Sequence, residues 1–113
     1  MKINLRKIIE TSIDAKTKML KVNLEAIDNA CKLMLGSVNG GNKILWCGNG
    51  GSAADSQHMS AELMGGLRSH TRDPIPSIAL STDSSFLTAW SNDTSFDDIF
   101  SRQIEGIGLP GDI

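Results

Sequence analysis

Residues 43 to 52 read KILWCGNGGS, a short apolar run that passes directly into a glycine-rich loop. Such an uninterrupted apolar run predicts a buried strand of a parallel sheet. From Ser52 to Met64 the chain is rich in alanine and contains no proline, which predicts a helix. We expect Ser52 and Asp55 to cap the first turn of this helix and Gly65-Gly66 to end it.

A second strand is predicted at 77–81, after a polar loop with two prolines at 68–76. Two short helices are expected next, at 84–90 and 96–107, and residues 109–113 have the composition of a turn that enters a third strand. The order strand, helix, strand, helix predicts an α/β fold with a doubly wound parallel sheet. Because such sheets usually need more than two strands, we expect these residues to be the first part of a longer domain.

Helical periodicity precedes the first strand. Leu5, Ile8, Ile9 and Ile13 predict a first helix ahead of Thr17. A second apolar seam, in steps of four and three, predicts a helix from position 20 to a turn cluster at 36–41 and consists of Leu20, Leu24, Ile27, Cys31, Met34 and Val38. We therefore divide the chain into an N-terminal helical segment, 1–41, and the first part of a ligand-binding domain, 42–113. A seam of this length packs within the chain or docks a second subunit, and we expect a homo-oligomer.

Composition limits the partners. The chain has 113 residues, with 11 lysines and arginines against 13 acidic residues and a formal charge of −2. The length predicts one small domain, and the balance of charges predicts that it does not bind nucleic acid. No apolar run approaches the length of a membrane span. Cys31 and Cys47 lack the spacing of a metal site, so we expect reduced, buried thiols.

The loop after the first strand predicts a phosphate site. Glycine at 48, 50 and 51 lets the backbone bend and approach a ligand, and the following helix presents free amides and the positive end of its dipole. The hydroxyl of Ser52 and the amide of Asn49 are further donors. The alternative is a tight strand-to-helix turn without a ligand.

Two nucleotide motifs compete for the same loop. A Walker loop ends in Gly-Lys-Ser/Thr, whereas this loop ends in Gly51-Ser52-Ala53, which argues against nucleoside triphosphate hydrolysis. The dinucleotide pattern matches as Gly48-x-Gly50-x-x-Ala53. Its acidic partner should close the second strand, but Asp73 precedes that strand in a loop, so the match is weak.

His58 and Glu62 are four residues apart on the helix that begins at the loop, so both project from one face. A carboxylate there can move a proton on a carbon next to a carbonyl, and with the histidine it can bind a divalent metal ion. About 9 Å of helical rise separates Ser52 from His58, which a small phosphorylated sugar can bridge. The alternative is an ordinary surface pair.

Asn92-Asp93 suits sugar hydroxyls, although the pair is also common as a helix stop and as the cap of a following helix. Arg68 and Arg72 either close over an anion or simply solvate their loop, and we favour the second reading.

The ordered set of Cys47–Ser52, His58-x-x-x-Glu62, Asn92-Asp93 and the later segment 99–103 resembles the phosphoheptose isomerase family of the sugar isomerase (SIS) domain superfamily. The resemblance runs from the N-terminal helices to Ile113. It implies a SIS-type, flavodoxin-like sheet in a cytoplasmic homotetramer. It also implies interconversion of sedoheptulose 7-phosphate and D-glycero-D-manno-heptose 7-phosphate for bacterial lipopolysaccharide or surface-glycan heptose.

By position, the resemblance assigns substrate contacts to Asn49, Gly50, Gly51, Ser52, Glu62, Asn92 and Asp93. It assigns a zinc ion to His58 and Glu62, with further ligands outside these residues. Glu62 is also the candidate base for proton transfer between C1 and C2, and the two roles compete for one carboxylate. Where the family often has an arginine after the glycine that ends this helix, the chain has Gly66, and Arg68 is the expected substitute.

Two alternatives stay open. One is a noncatalytic SIS adaptor of the type that associates with the replication initiator; such adaptors tend to lack a carboxylate at the position of Glu62. The other is a truncated fragment, which we expect to bind ligand weakly and to have little isomerase activity.

Overall fold

The N-terminal third of the protein is helical. The computed structural model describes residues 3–113, and its first helix, α1, spans Leu5–Val22. The side chain of Asn4 caps α1 by accepting a hydrogen bond from the Lys7 N–H at 3.1 Å. Helix α2 spans Leu24–Asn39. The first helix was expected to end before Thr17, but α1 continues to Val22.

Asn23 separates the two helices, so the prediction of one helix from Leu20 onward is wrong. The main-chain hydrogen bonds nevertheless run through the junction, because the Asn23 N–H donates to Met19 O and the Ile27 N–H donates to Asn23 O, both at 2.9 Å. Asparagine favours helix ends since its side chain competes for nearby backbone groups. The apolar seam thus continues across a local interruption.

A two-stranded parallel sheet follows. Strand β1 spans Ile44–Trp46. Strand β2 spans Ser77–Ala79 and is two residues shorter than the predicted strand at 77–81. They pair in the register Ile44 to Ser77, Leu45 to Ile78 and Trp46 to Ala79. The buried apolar core lies at this sheet and consists of Ile44, Ala79, Leu80 and Ile99.

The segment 109–113 approaches the other edge of β1. A turn closes with a hydrogen bond from the Asp112 N–H to Leu109 O. Ile113 then donates to Lys43 O at 3.2 Å and accepts from the Leu45 N–H at 2.6 Å. These groups alternate with those that β1 offers to β2, so β1 has partners on both edges. The chain therefore changes sides at β1, as in a doubly wound sheet, and ligands bind at such a switch point.

Three helices accompany the sheet: α3 at Gly51–Gly65, α4 at Ser84–Asp93 and α5 at Ser101–Ile107. Helix α3 contacts both strands, and its C-cap is Gly66, which is left-handed with φ +97°. The predicted Ser52 cap is wrong, because the N-cap is Gly50 and no side chain caps the helix. Helix α5 starts five residues later than predicted, since a bend at Phe96 and turns at 97–100 precede it.

By its internal contacts the chain divides into two units, one ending at Leu33 and the other comprising Met34–Ile113. The predicted domain boundary at 41 stays a prediction. Cys31 and Cys47 are free thiols but both are exposed, so the expectation of buried thiols is wrong. None of the helices within residues 3–113 combines the length and apolar character needed to cross a membrane.

Candidate functional site

The loop between β1 and α3 has a backbone that only glycine accommodates at two positions. Gly50 has φ +58° and ψ −120°, a region that side chains disfavour. At Gly48 an added Cβ would lie 2.6 Å from both the Cβ and the carbonyl oxygen of Ser52. The loop therefore folds tightly back on the first turn of α3.

This conformation leaves backbone donors free. The Ser52 N–H is occupied, since it donates to Asn49 O at 3.0 Å, and the Ala53 N–H donates to Gly50 O at 3.1 Å. Within the described part of the chain, the N–H groups of Asn49, Gly50 and Gly51 have no protein acceptor. The free amides thus precede Ser52, where the sequence alone had placed the start of the helix.

The side chains of Asn49 and Ser52 are available as well. Both residues are exposed, and neither side chain takes part in a hydrogen bond within residues 3–113. Free backbone donors at the positive end of a helix dipole, supplemented by a hydroxyl and an amide, form an anion site that needs no lysine. The loop therefore has the chemistry of a phosphate cradle.

His58 and Glu62 form a pair on α3. His58 Nε2 lies 3.1 Å from Glu62 Oε1, one helical turn away. The His58 side chain is 73% exposed and that of Glu62 is 35% exposed, so solvent and ligands can reach both. The structure thus confirms that these two residues face the same way.

The pair offers a base and two metal donors. Within residues 3–113, no cluster of three or more histidine, cysteine, aspartate or glutamate side chains is arranged to hold a metal ion. His70, the other histidine, places Nδ1 at 3.3 Å from Gly65 O, at the end of α3. His58 and Glu62 therefore supply two adjacent metal donors, and the described residues bring no third donor of these types to them.

Asn92 and Asp93 form the last turn of α4. Asn92 Nδ2 donates to Asp93 Oδ1 at 2.9 Å, and both residues are exposed. The helix-stop interpretation is confirmed, because α4 ends at Asp93, but the pair does not cap the following helix, since the N-cap of α5 is Phe100. No hydrogen bond among the described residues joins this pair to the glycine loop, so its role as a substrate contact stays a prediction.

Arg72 has a function that the sequence did not reveal. Its guanidinium Nη2 donates to the carbonyl oxygens of Glu62 and Leu63, both at 2.7 Å, so it neither covers an anion nor only solvates the loop. Arg72 lies ten positions after Glu62, in the loop that follows α3, so helical periodicity does not predict that the two residues are in contact. Arg68, by contrast, is exposed and has φ +62°.

The chain is similar to curated phosphoheptose isomerases. The phosphoheptose isomerase of Shewanella sp. (strain ANA-3) is 52% identical over 105 residues, which are 93% of this chain and 51% of that protein. The phosphoheptose isomerase of Shewanella loihica is 51% identical over the same share. The chain spans about half the length of these curated relatives.

Two solved structures share the fold. The phosphoheptose isomerase of Neisseria gonorrhoeae superposes with a TM-score of 0.86 at 42% identity, covering 96% of this chain and 55% of that one. The phosphoheptose isomerase from Francisella tularensis gives a TM-score of 0.90 at 34% identity, covering 96% and 56%. The SIS domain family matches residues 9–113, and the chain therefore belongs to the SIS domain family.

Proposed function

We propose that the protein is an aldose–ketose isomerase that interconverts sedoheptulose 7-phosphate and D-glycero-D-manno-heptose 7-phosphate. The observation that carries the proposal is the His58–Glu62 pair, 3.1 Å apart, on the helix that begins at the anion loop. The names of the relatives support the same activity. A noncatalytic adaptor has no comparable support, because an accessible carboxylate beside an imidazole is what proton transfer requires.

The glycine loop would hold the phosphate. Its three free N–H groups and the Ser52 hydroxyl lie at the start of α3, where the helix dipole favours negative charge. Six residues of helix place His58 about 9 Å further along, which an extended seven-carbon sugar phosphate can bridge. The sugar would then run along α3 with its C1–C2 end at the His58–Glu62 pair, and Asn92 and Asp93 would contact its hydroxyls.

Glu62 would move the proton. Starting from the ketose, the carboxylate removes a proton from C1, the C1–C2 bond becomes the double bond of an enediol, and the carbonyl oxygen on C2 gains a proton. Return of the proton to C2 and loss of the proton from O1 give the aldose, so nothing is oxidised or reduced overall. Without a metal ion, the 3.1 Å contact with His58 Nε2 would orient the carboxylate through Oε1 for both transfers.

We also propose that His58 and Glu62 contribute to a zinc site. Two tetrahedral ligands at about 2.1 Å from zinc lie roughly 3.4 Å from each other, close to the 3.1 Å observed between Nε2 and Oε1. Catalytic zinc usually has three protein ligands, so a further donor would come from outside the described residues. When bound, the ion would polarise the substrate carbonyl.

Self-association is part of the proposal, with the tetramer that the resemblance implies as its expected form. Helix α1 has no buried residue, although it carries an apolar seam. A large exposed apolar surface of this kind usually marks a contact with another protein surface. We propose that the assembly works in the cytoplasm, where its charged substrate is retained.

The test is conversion of sedoheptulose 7-phosphate by the full-length protein and its Glu62→Gln variant. Loss of the base is expected to lower kcat by about a hundredfold or more, because general base catalysis contributes that much. Glu105→Gln is the matched control, since Glu105 is exposed on α5 and pairs with Arg102 outside the site. Unchanged turnover in Glu62→Gln would exclude the proposed role of this carboxylate.

A further inference from the structure

Arg72 connects the loop after α3 to the helix that carries the site. Nη2 donates to Glu62 O and Leu63 O at 2.7 Å, and Nη1 donates to Asp73 O at 2.8 Å. Arg72 is half-buried, unlike the exposed Arg68 in the same loop. One guanidinium thus bridges two carbonyls of α3 and one carbonyl of the following segment.

The carbonyls that Arg72 contacts belong to the end of the helix, where intrahelical donors run out. Glu62 O also accepts from the N–H groups of Gly66 and Leu67, both at 3.1 Å, and Leu63 O accepts from Ile75 N–H at 3.2 Å. A cation at this end is also favoured by the helix dipole. Arg72 therefore completes a set of donors that fixes the main chain of Glu62.

The last turn of α3 needs such support because Gly65 lies inside it. Glycine within a helix loses more conformational freedom on folding than other residues, whereas Gly66 adopts the left-handed conformation that favours glycine just after a helix. The His58–Glu62 contact exists only while the two residues stack one turn apart. Unwinding from Gly66 back to Glu62 would move the carboxylate away from the imidazole.

We propose that Arg72 is a positioning residue that holds the last turn of α3 and thereby keeps the Glu62 carboxylate beside His58. The catalytic consequence rests on the proposed function, in which this carboxylate moves the proton. Arg72 does not touch the substrate in this proposal, and its effect is exerted entirely through the backbone of Glu62 and Leu63.

The experiment compares Arg72→Met and Arg72→Lys with wild type in the full-length protein. Arg102→Met is the matched control, because it removes a guanidinium that pairs with Glu105 at 3.1 Å, lies 4.9 Å from the centre of the Trp90 ring and makes no hydrogen bond to α3 within residues 3–113. Two readouts are measured: the ring ¹H–¹³C resonances of His58 without substrate, and kcat and KM for the ketose. His58→Gln assigns the resonances, since the sequence has two histidines.

Positioning predicts that Arg72→Met moves the His58 resonances in the same direction as Glu62→Gln does, whereas Arg102→Met leaves them in place. It also predicts a kcat lowered roughly tenfold to a hundredfold with KM changed much less, because misplacement of a reacting group costs this much. Arg72→Lys keeps the charge but loses the fork of donors, so it should restore both readouts in part.

Two results would overturn the proposal. One is a lower melting temperature in Arg72→Met with the His58 resonances at their wild-type positions, which would make Arg72 a helix cap only. The other is a raised KM with kcat unchanged, which would place Arg72 on the substrate. If wild type itself converts no ketose, the proposed function fails, while the His58 resonances still decide whether Arg72 positions Glu62.

Discussion

Ser52 shows how one residue serves the turn with its main chain and leaves its side chain for a ligand. Its N–H closes the first turn on Asn49 O, and its Cβ and carbonyl oxygen occupy the space beside Gly48. The hydroxyl, which a Ser-x-x-Asp pattern would commit to capping, makes no cap hydrogen bond. It is therefore available to a phosphate oxygen.

Gly48→Ala is expected to destabilise the protein by about 1–3 kcal/mol, because the new Cβ meets the Ser52 backbone and the loop must shift. The shift should also weaken binding of sedoheptulose 7-phosphate. Gly51→Ala is the control for stability: an added Cβ there has open space, and alanine in a helix is favoured by up to about 1 kcal/mol. Urea denaturation measures both, and equal stabilities would contradict the crowding at Gly48.

At the scale of elements, a half-buried ion pair attaches the segment 109–113 to the start of β1. Lys43 Nζ lies 2.6 Å from Asp112 Oδ2, and the two side chains are only 17% and 7% exposed. Asp112 also accepts from the backbone N–H groups of Lys43 and Leu109 at 3.0 and 2.7 Å. The hydroxyl of Ser37 donates to Gly111 O at 2.8 Å, which holds the same turn against α2.

This pairing predicts acid sensitivity. The side-chain hydrogen bond from Lys43, with its backbone hydrogen bond next, lowers the pKa of Asp112 from 3.8 to about 2. As the pH falls, the unfolded chain binds this proton first, so the contribution of Asp112 is complete above about pH 4 and is lost toward pH 2. The stability difference between wild type and Asp112→Asn should therefore shrink over this range in urea denaturation. A difference that is constant from pH 7 to 2 would contradict the assignment.

For the whole molecule, the notable feature is how much apolar surface the N-terminal helices expose. Ile9 and Ile13, one turn apart on α1, are 60% and 59% exposed. The same periodicity continues into α2, where Leu24 and Ile27 are 57% and 43% exposed. Large apolar side chains that stay exposed along two helices are typical of a contact surface, so they favour assembly.

Replacing Ile9 and Ile13 together by lysine is expected to lower the molar mass of the full-length protein in analytical ultracentrifugation, because two charges would interrupt the apolar seam. Circular dichroism should show that the helix is retained. Lys18→Gln, an exposed polar change on the same helix, is expected to leave the mass unchanged. A double variant that sediments like wild type would remove α1 from the interface.

The sequence by itself determined the alternation of strand and helix, the parallel sheet and the glycine loop before α3. These features follow from local patterns: an apolar run makes a buried strand, and glycines permit a positive φ and close approach. The placement of His58 and Glu62 on one face was equally local, since the helical repeat alone brings residues four apart together. All of these expectations agree with the structure.

Only the tertiary structure showed which side chains hold the end of α3 and which attach the segment 109–113 to β1. The Arg72 hydrogen bonds to Glu62 and Leu63 and the pairing of Lys43 with Asp112 join residues distant in sequence, which no periodicity encodes. The break at Asn23 and the shift of the α3 cap from Ser52 to Gly50 were also missed, because several backbone geometries satisfy the same local propensities. Packing and hydrogen bonding with distant segments select among them, and that selection is a property of the folded chain.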